Sequence, residues 1–194
     1  MTDATKLVII AASTGGPKIV LDVLSVIPQG IPSSIIVIQH MLPRFIGSFA
    51  KRLEKGSHLP VVVGVKGMRL CEETVLLAPG GKHLILVPDT DGVVVDFDQS
   101  GPRAGVMPSA DVTMISAAPL FRENLLGVIL SGMGRDGVEG FAAIKRMGGT
   151  TVVEDEESSA IYGMPGRALT RGVADKVLTP REVAQEIIRF SLGV

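Results

Sequence analysis

Tryptophan is absent, tyrosine and cysteine occur once each, and histidine three times in 194 residues. The lone Cys71 excludes an internal disulfide and has no thiolate partner for a metal site, which points to a reducing, cytoplasmic setting. Charge of either sign is not in surplus: 19 Lys and Arg stand against 20 Asp and Glu, a net of −1. Without a basic excess to neutralise phosphates, nothing predicts a nucleic-acid partner. No apolar run approaches the roughly 18 residues of a membrane span, so no membrane insertion is expected. The start, MTDATKLVIIAAST, carries Asp3 and only a short apolar run, unlike a secretory signal.

Several motifs are also missing. There is no G-x-G-x-x-G, no P-loop pattern, no H-E-x-x-H and no Cys/His cluster, so neither a nucleotide cofactor nor a metal is expected. The G-x-S-x-G elbow is absent too, so the chain is not an ordinary α/β-hydrolase by motif.

What is present is apolar and β-branched. Hydrophobic residues make up 46% of the chain, enough for one sizeable core. Strand-like runs occupy residues 7–11, 35–38, 61–65, 75–78, 84–87, 93–97, 125–130 and 151–153. LVIIAA, IIVIQ and LLGVIL do not alternate with polar residues, as befits strands buried on both faces. Helical patterns follow. PKIVLDVLSVI puts Ile19, Val20, Val23, Leu24 and Ile27 on one face, with Pro17 in the first turn. RFIGSFAKRLEK aligns Phe45, Ile46, Phe49 and Leu53, and DGVEGFAAIKRMGG aligns Val138, Phe141, Ile144 and Met147 before terminal glycines. Residues 180–190 form a last amphipathic helix with Val183, Ile187 and Phe190 inward.

This alternation predicts an α/β fold: a doubly wound, mostly parallel sheet with helices on both faces. Residues 72–98 hold three strand-like runs, with turns at Pro79-Gly80-Gly81 and at 89–92. The last two runs predict an antiparallel hairpin at one edge of the sheet. No repeat, low-complexity segment or linker divides the chain, so residues 1–194 are expected to form a single domain.

Ligands of open α/β sheets bind beyond the carboxyl ends of the strands. After the first buried strand comes Ser13-Thr14-Gly15-Gly16, after the second Gln39-His40-Met41, and after LLGVIL comes Ser131-Gly132-Met133-Gly134-Arg135-Asp136-Gly137. If these strands are parallel neighbours, a hydroxyl, an imidazole and a carboxylate converge: a nucleophile, a base and an orienting acid. Backbone N–H groups near Met133 or the helix start would hold an oxyanion. Each residue also has a plain structural reading. Ser13, Thr14 and Asp136 suit helix caps, and His40 suits a surface position. His58 lies in a polar loop, and His83 begins a strand without a neighbouring hydroxyl motif. Asp111 belongs to a helix N-terminus, and Glu154 to Glu157 read as an acidic surface run.

The segments AASTGG, IQHMLPRFIGSFAKRL, LLAPGGKHL, VILSGMGRDG and AIYGMPGRAL, in this order, resemble the catalytic domain of the chemotaxis protein-glutamate methylesterase family, CheB. The resemblance covers nearly the whole chain. It implies a doubly wound α/β domain that hydrolyses glutamate γ-methyl esters on the cytoplasmic helices of chemoreceptors, releasing methanol, and in some members deamidates receptor glutamines. Carried over by motif, it makes Ser13 the nucleophile rather than Thr14, His40 the base and Asp136 the acid. Thr14 would support the histidine, and Met133 would offer its backbone N–H to the oxyanion. The family also implies an N-terminal receiver domain whose phosphorylation relieves inhibition. This sequence starts at the catalytic domain, so constitutive activity is expected, with a separate receiver domain as a further partner. Where the family reads R-H-R-P-S-V-D, residues 105–111 read GVMPSAD, which bears on substrate preference. Two other functions fit the same residues: a glutamine deamidase or other esterase on the same triad, and a non-enzymatic module that cradles an anion at STGG.

Overall fold

A computed structural model describes residues 3–90 and 92–194. In chain order the elements are β1 (Leu7–Ala12), α1 (Gly16–Leu24), β2 (Ser34–Gln39), α2 (Pro43–Gly56), β3 (Val61–Val63), β4 (Val75–Leu77), β5 (His83–Asp89) and β6 (Gly92–Asp98). They continue with α3 (Ala110–Phe121), β7 (Leu125–Ile129), α4 (Val138–Arg146), β8 (Thr150–Glu154), α5 (Met164–Thr170), β9 (Lys176–Leu178) and α6 (Pro180–Leu192). Seven strands form one parallel sheet in the order β3-β4-β2-β1-β7-β8-β9.

The non-alternating runs sit where their composition requires. Leu7, Ile9 and Ala11 of β1 face a cluster with Met114 and Phe121 of α3, Phe141 and Ile144 of α4, and Met164 of α5. Val8, Ile10 and Ala12 face the other way, against Val20 and Leu24 of α1, Phe49 and Leu53 of α2, and Val183 and Ile187 of α6. Every residue of β1 and β2 is buried. Burial of each large aliphatic side chain contributes about 1.5–3 kcal/mol, so this double layer dominates the favourable side of folding. No described helix is long and apolar enough to cross a membrane.

Some details differ from the sequence reading. The hairpin of β5 and β6 forms its own two-stranded antiparallel sheet, without ladder bonds to the main one. Its Leu84, Leu86 and Val95 join the α3 side of the core. Side chains of α3 serve the free backbone of β5: Thr113 Oγ1 donates to Leu84 O at 2.7 Å, and Leu86 N donates to Ser116 Oγ at 3.0 Å. Of the turn at 89–92, Asp91 lies outside the described residues. Phe45 is 46% exposed, in the first turn of α2, with the Arg44 guanidinium 4.9 Å from its ring centroid. Met147 lies just past α4 and is likewise exposed. β9 and α5 were not foreseen.

Candidate active site

The order β2-β1-β7 makes the three buried strands parallel neighbours, and their carboxyl ends bring Ser13, His40 and the 131–136 loop together. The chain winds outward from β1 to β2 and β3, then resumes on the other side of β1 with β7, so the loops meet at the topological switch point. Backbone bonds continue the ladder past the strand ends. His40 N donates to Ala12 O at 2.9 Å, and Ser13 N donates to Ser131 O at 3.0 Å. The buried Gln39 amide donates to Ser13 O at 2.9 Å and to His40 O at 3.2 Å, tying the first two loops.

Glycine is required where these loops touch. Gly15 has φ +84°, and a Cβ there would lie 2.6 Å from Ala160 Cβ and 2.7 Å from Ser131 Oγ. A Cβ on Gly132 would lie 2.7 Å from Ser13 Cβ. The Ser13 loop and the Ser131–Gly132 corner are therefore in direct contact.

None of the three residues acts as a helix cap or a surface group. The N-cap of α1 is Gly15 and that of α4 is Gly137, so neither helix has a side-chain cap. His40 is nearly buried, and its Nε2 lies 2.7 Å from Oδ2 of Asp136. An ionised carboxylate only accepts, so Nε2 carries the proton and Nδ1 presents its lone pair. That Nδ1 is buried and has no partner among the described residues. An orphaned buried acceptor of this kind is uncommon outside functional sites.

Asp136 is held from several directions. Ser109 Oγ donates to Oδ1 at 2.6 Å, Asp111 N to Oδ1 at 3.1 Å, and Ala110 N to Oδ2 at 2.6 Å. These donors are the N-cap and first residues of α3, whose positive end favours a carboxylate. Burial works to raise the pKa of Asp136, but the hydrogen bonds from His40, Ser109 and Ala110 outweigh it and hold the carboxyl below its ordinary value.

The Ser13 side chain is half-buried, and its hydroxyl makes no hydrogen bond among the described residues. Thr14 is exposed. Its carbonyl accepts from Ser131 Oγ at 2.8 Å, and no bond joins its hydroxyl to His40. Met133 is 76% exposed, and its backbone N–H has no partner among the described residues. Among those residues, no group of three or more His, Cys, Asp or Glu side chains converges to hold a metal.

Next to Met133 a groove of about 1150 Å³ runs between α3, the start of α4 and α5. Asp111 forms part of its wall, and its carboxylate accepts from Gly140 N at 2.8 Å. Burial, with the charge of Asp136 nearby, pushes its pKa up to about 6 despite that bond.

The comparisons with known proteins bear on this arrangement. The CheB methylesterase family model matches residues 8–187. The chain belongs to that family. It is 37% identical over 187 residues to protein-glutamate methylesterase/protein-glutamine glutaminase 3 of Syntrophomonas wolfei, covering 96% of this chain and 53% of the relative. It is also 37% identical over 182 residues to a Pyrococcus abyssi protein named protein-glutamate methylesterase/protein-glutamine glutaminase, covering 94% of this chain and 50% of that one. The chain thus spans about half the length of the curated relatives it matches. The crystal structure of the Thermotoga maritima CheB methylesterase catalytic domain superposes with a TM-score of 0.93 at 36% identity, covering 95% of this chain and 97% of that one.

The remaining candidates take structural roles. His83 is fully buried; Nε2 donates to Gly101 O at 2.8 Å, and Nδ1 accepts from Ser109 N at 3.0 Å. It is a neutral ring that fixes Ser109. His58 is exposed. Glu154, read from sequence as part of a surface run, is instead fully buried and accepts from Ser131 N at 2.7 Å and Ser158 Oγ at 3.0 Å. Its carboxylate anchors the loop after β7, and burial raises its pKa despite those bonds. Sequence reasoning missed Ser109 and Glu154 as site supports. The proline-serine pair before a helix start was the available signal for Ser109, as an N-cap; nothing in the sequence marks Glu154.

Proposed function

We propose that the chain is a protein-glutamate methylesterase that hydrolyses γ-methyl esters of chemoreceptor glutamates with Ser13, His40 and Asp136. The observation that carries this reading is the His40 ring, bonded to Asp136 through Nε2 and left with a buried, unpartnered Nδ1. A serine hydroxyl is a poor nucleophile until a base takes its proton. In this reading Ser13 Oγ attacks the ester carbonyl while its proton passes to His40 Nδ1. Asp136 stabilises the resulting imidazolium. The free N–H of Met133 donates to the developing oxyanion. Collapse of the tetrahedral intermediate expels methanol, which takes the proton from His40. Water then attacks the acyl carbon while giving a proton to the same nitrogen, which passes it to the departing Ser13 Oγ; the released glutamyl acid ionises to its carboxylate.

The same steps with an amide release ammonia, and the relatives' names include glutaminase. Glutamine deamidation is therefore the second reading of the same site.

The deciding experiment measures methanol and ammonia release from methylated receptor cytoplasmic fragments, comparing wild type with Ser13→Ala. Methanol released by wild type alone supports the reading. Ammonia without methanol would replace esterase by deamidase. Failure of Ser13 to react with a fluorophosphonate would favour an anion-binding module over any serine hydrolase. The isolated chain carries every group these steps use, so turnover is expected without an added phosphorylated receiver domain. A requirement for one would contradict that.

A further inference from the structure

We infer that the groove beside Met133 is a docking surface for an acidic, amphipathic polypeptide segment, the one that carries the glutamyl ester if the esterase reading above holds. The groove adjoins the site through two residues. Met133 follows Gly132, which packs on Ser13, and Asp111 supplies one of the amides that hold Asp136.

Its floor is apolar. Val112 and Ile115 of α3, Val138 of α4 and Met133 line it, and Ile115 and Met133 are 48% and 76% exposed. Exposed apolar side chains gathered along a concave strip mark contact surfaces more than scattered ones do.

Its border is cationic. Arg103, Arg135, Arg167 and Arg171 line it, against only Asp111 and Glu139. Asp111 is turned to the amide of Gly140, and Glu139 lies 3.8 Å from Arg171. Arg103, Arg135 and Arg167 are exposed and form no ion pair among the described residues. The chain as a whole is net −1, so these arginines are a local concentration rather than a general basic character.

The arginines are also held in register. Arg167 and Arg171 lie four residues apart at the end of α5, on one side of that helix. Arg103 sits in a tight turn closed by reciprocal backbone bonds with Val106 at 3.1 and 3.0 Å. An apolar floor between guanidinium groups complements a segment with an apolar stripe flanked by carboxylates, which arginine recognises bidentately. A nucleic acid would satisfy the border but not the floor.

The test uses two fluorescent helical peptides that differ only around a central glutamate: one has glutamates one turn to either side, the other alanines. Binding is read by anisotropy, without any need for hydrolysis. Wild type is expected to bind the acidic peptide about tenfold more tightly at low salt, the size two exposed charge pairs supply. The gap should close near 0.5 M salt, where the screening length falls to roughly 4 Å. In Arg103→Glu/Arg167→Glu the preference should vanish or reverse. Equal binding of the two peptides by wild type would overturn the proposal, as would a preference that survives the double substitution. Competition by duplex DNA at equal charge, as strong as that of the acidic peptide, would reduce the groove to a general anion patch and also overturn it. Methanol release from the γ-methyl esters of both peptides is scored separately. Intact preference without hydrolysis would sink the esterase reading and leave the groove; hydrolysis without preference would do the reverse.

Discussion

His40 Nε2 and Asp136 Oδ2 lie 2.7 Å apart, while the opposite nitrogen of the same ring is buried and unpartnered. One bond therefore sets both the tautomer and the direction of the free lone pair. The carboxylate that makes it is itself fixed by three donors from the start of α3.

Asp136→Asn tests that chain of dependence. With its amide nitrogen in the Oδ2 place, facing His40 Nε2, the ring would be driven to carry its proton on Nδ1 and cease to be a base; in the Oδ1 place that nitrogen would oppose the Ser109 and Asp111 donors. Turnover is expected to fall on the order of 10⁴-fold, by analogy with serine-protease triads. Mismatched donors at α3 should also cost about 1–3 kcal/mol of stability. Steady-state kinetics and urea unfolding check both. A small kinetic effect in a folded variant would mean that another group orients His40.

Ser109→Ala removes the 2.6 Å bond to Asp136 Oδ1 and the 3.5 Å N-cap bond from Val112 N, while the backbone N–H of residue 109 still reaches His83. The expected loss is about 1–2 kcal/mol in stability. kcat should fall while KM stays unchanged, because Ser109 is fully buried and touches no substrate. An effect on KM alone would argue that the residue shapes the groove instead.

Asp111 gives a pH signature. Burial raises its native pKa to about 6, so the folded chain keeps a proton that the unfolded chain releases near the ordinary aspartate value. Native protein thus binds more protons in that window, and stability falls as pH rises through it. Asp111→Asn retains an acceptor for Gly140 N and removes the penalty. The variant should be more stable than wild type by about 1–2 kcal/mol at neutral pH, a figure reduced for the group's partial exposure. The two should converge below the ordinary aspartate pKa. Denaturant unfolding across that range checks it; a gap that widens at low pH would contradict it.

Glu154→Ala leaves the buried Ser131 N–H without its 2.7 Å partner. A cost of about 1–3 kcal/mol is expected, with reduced kcat as the loop carrying Met133 and Asp136 loosens. Glu154→Gln keeps an acceptor and should lose much less. Equal losses in the two variants would show that the carboxylate's charge, rather than its acceptor, holds the loop.

The parts of this design visible in the sequence are those with a local cause. Uniformly apolar runs announced β1, β2 and β7, and the polar residues that follow them announced the loops of the site. Adjacency of those loops was conditional on strand order, which the three runs do not encode; it became visible only with the sheet. β9 escaped notice because it is a three-residue edge strand whose Lys176 and Val177 stay exposed, so no burial pattern marks it. α3 carries apolar residues on most sides, packing against the hairpin, α4 and β7, which blurs the stripe that reveals an amphipathic helix. Ser109 and Glu154 gain their roles from partners 27 and 23 residues away, a relationship that local patterning does not contain.

The central place of β1 has a consequence for the making of the protein. Ser13 and His40 reside on adjoining strands supplied early in the chain, but Asp136 comes 96 residues after the histidine, on the far side of β1. An unfinished chain, or one whose β1–β7 pairing has come apart, owns a hydroxyl and an imidazole without the carboxylate that aligns them. In the proposed reading, the triad is thus withheld until β7 joins β1, and nascent or damaged copies would be chemically idle by construction of the topology alone.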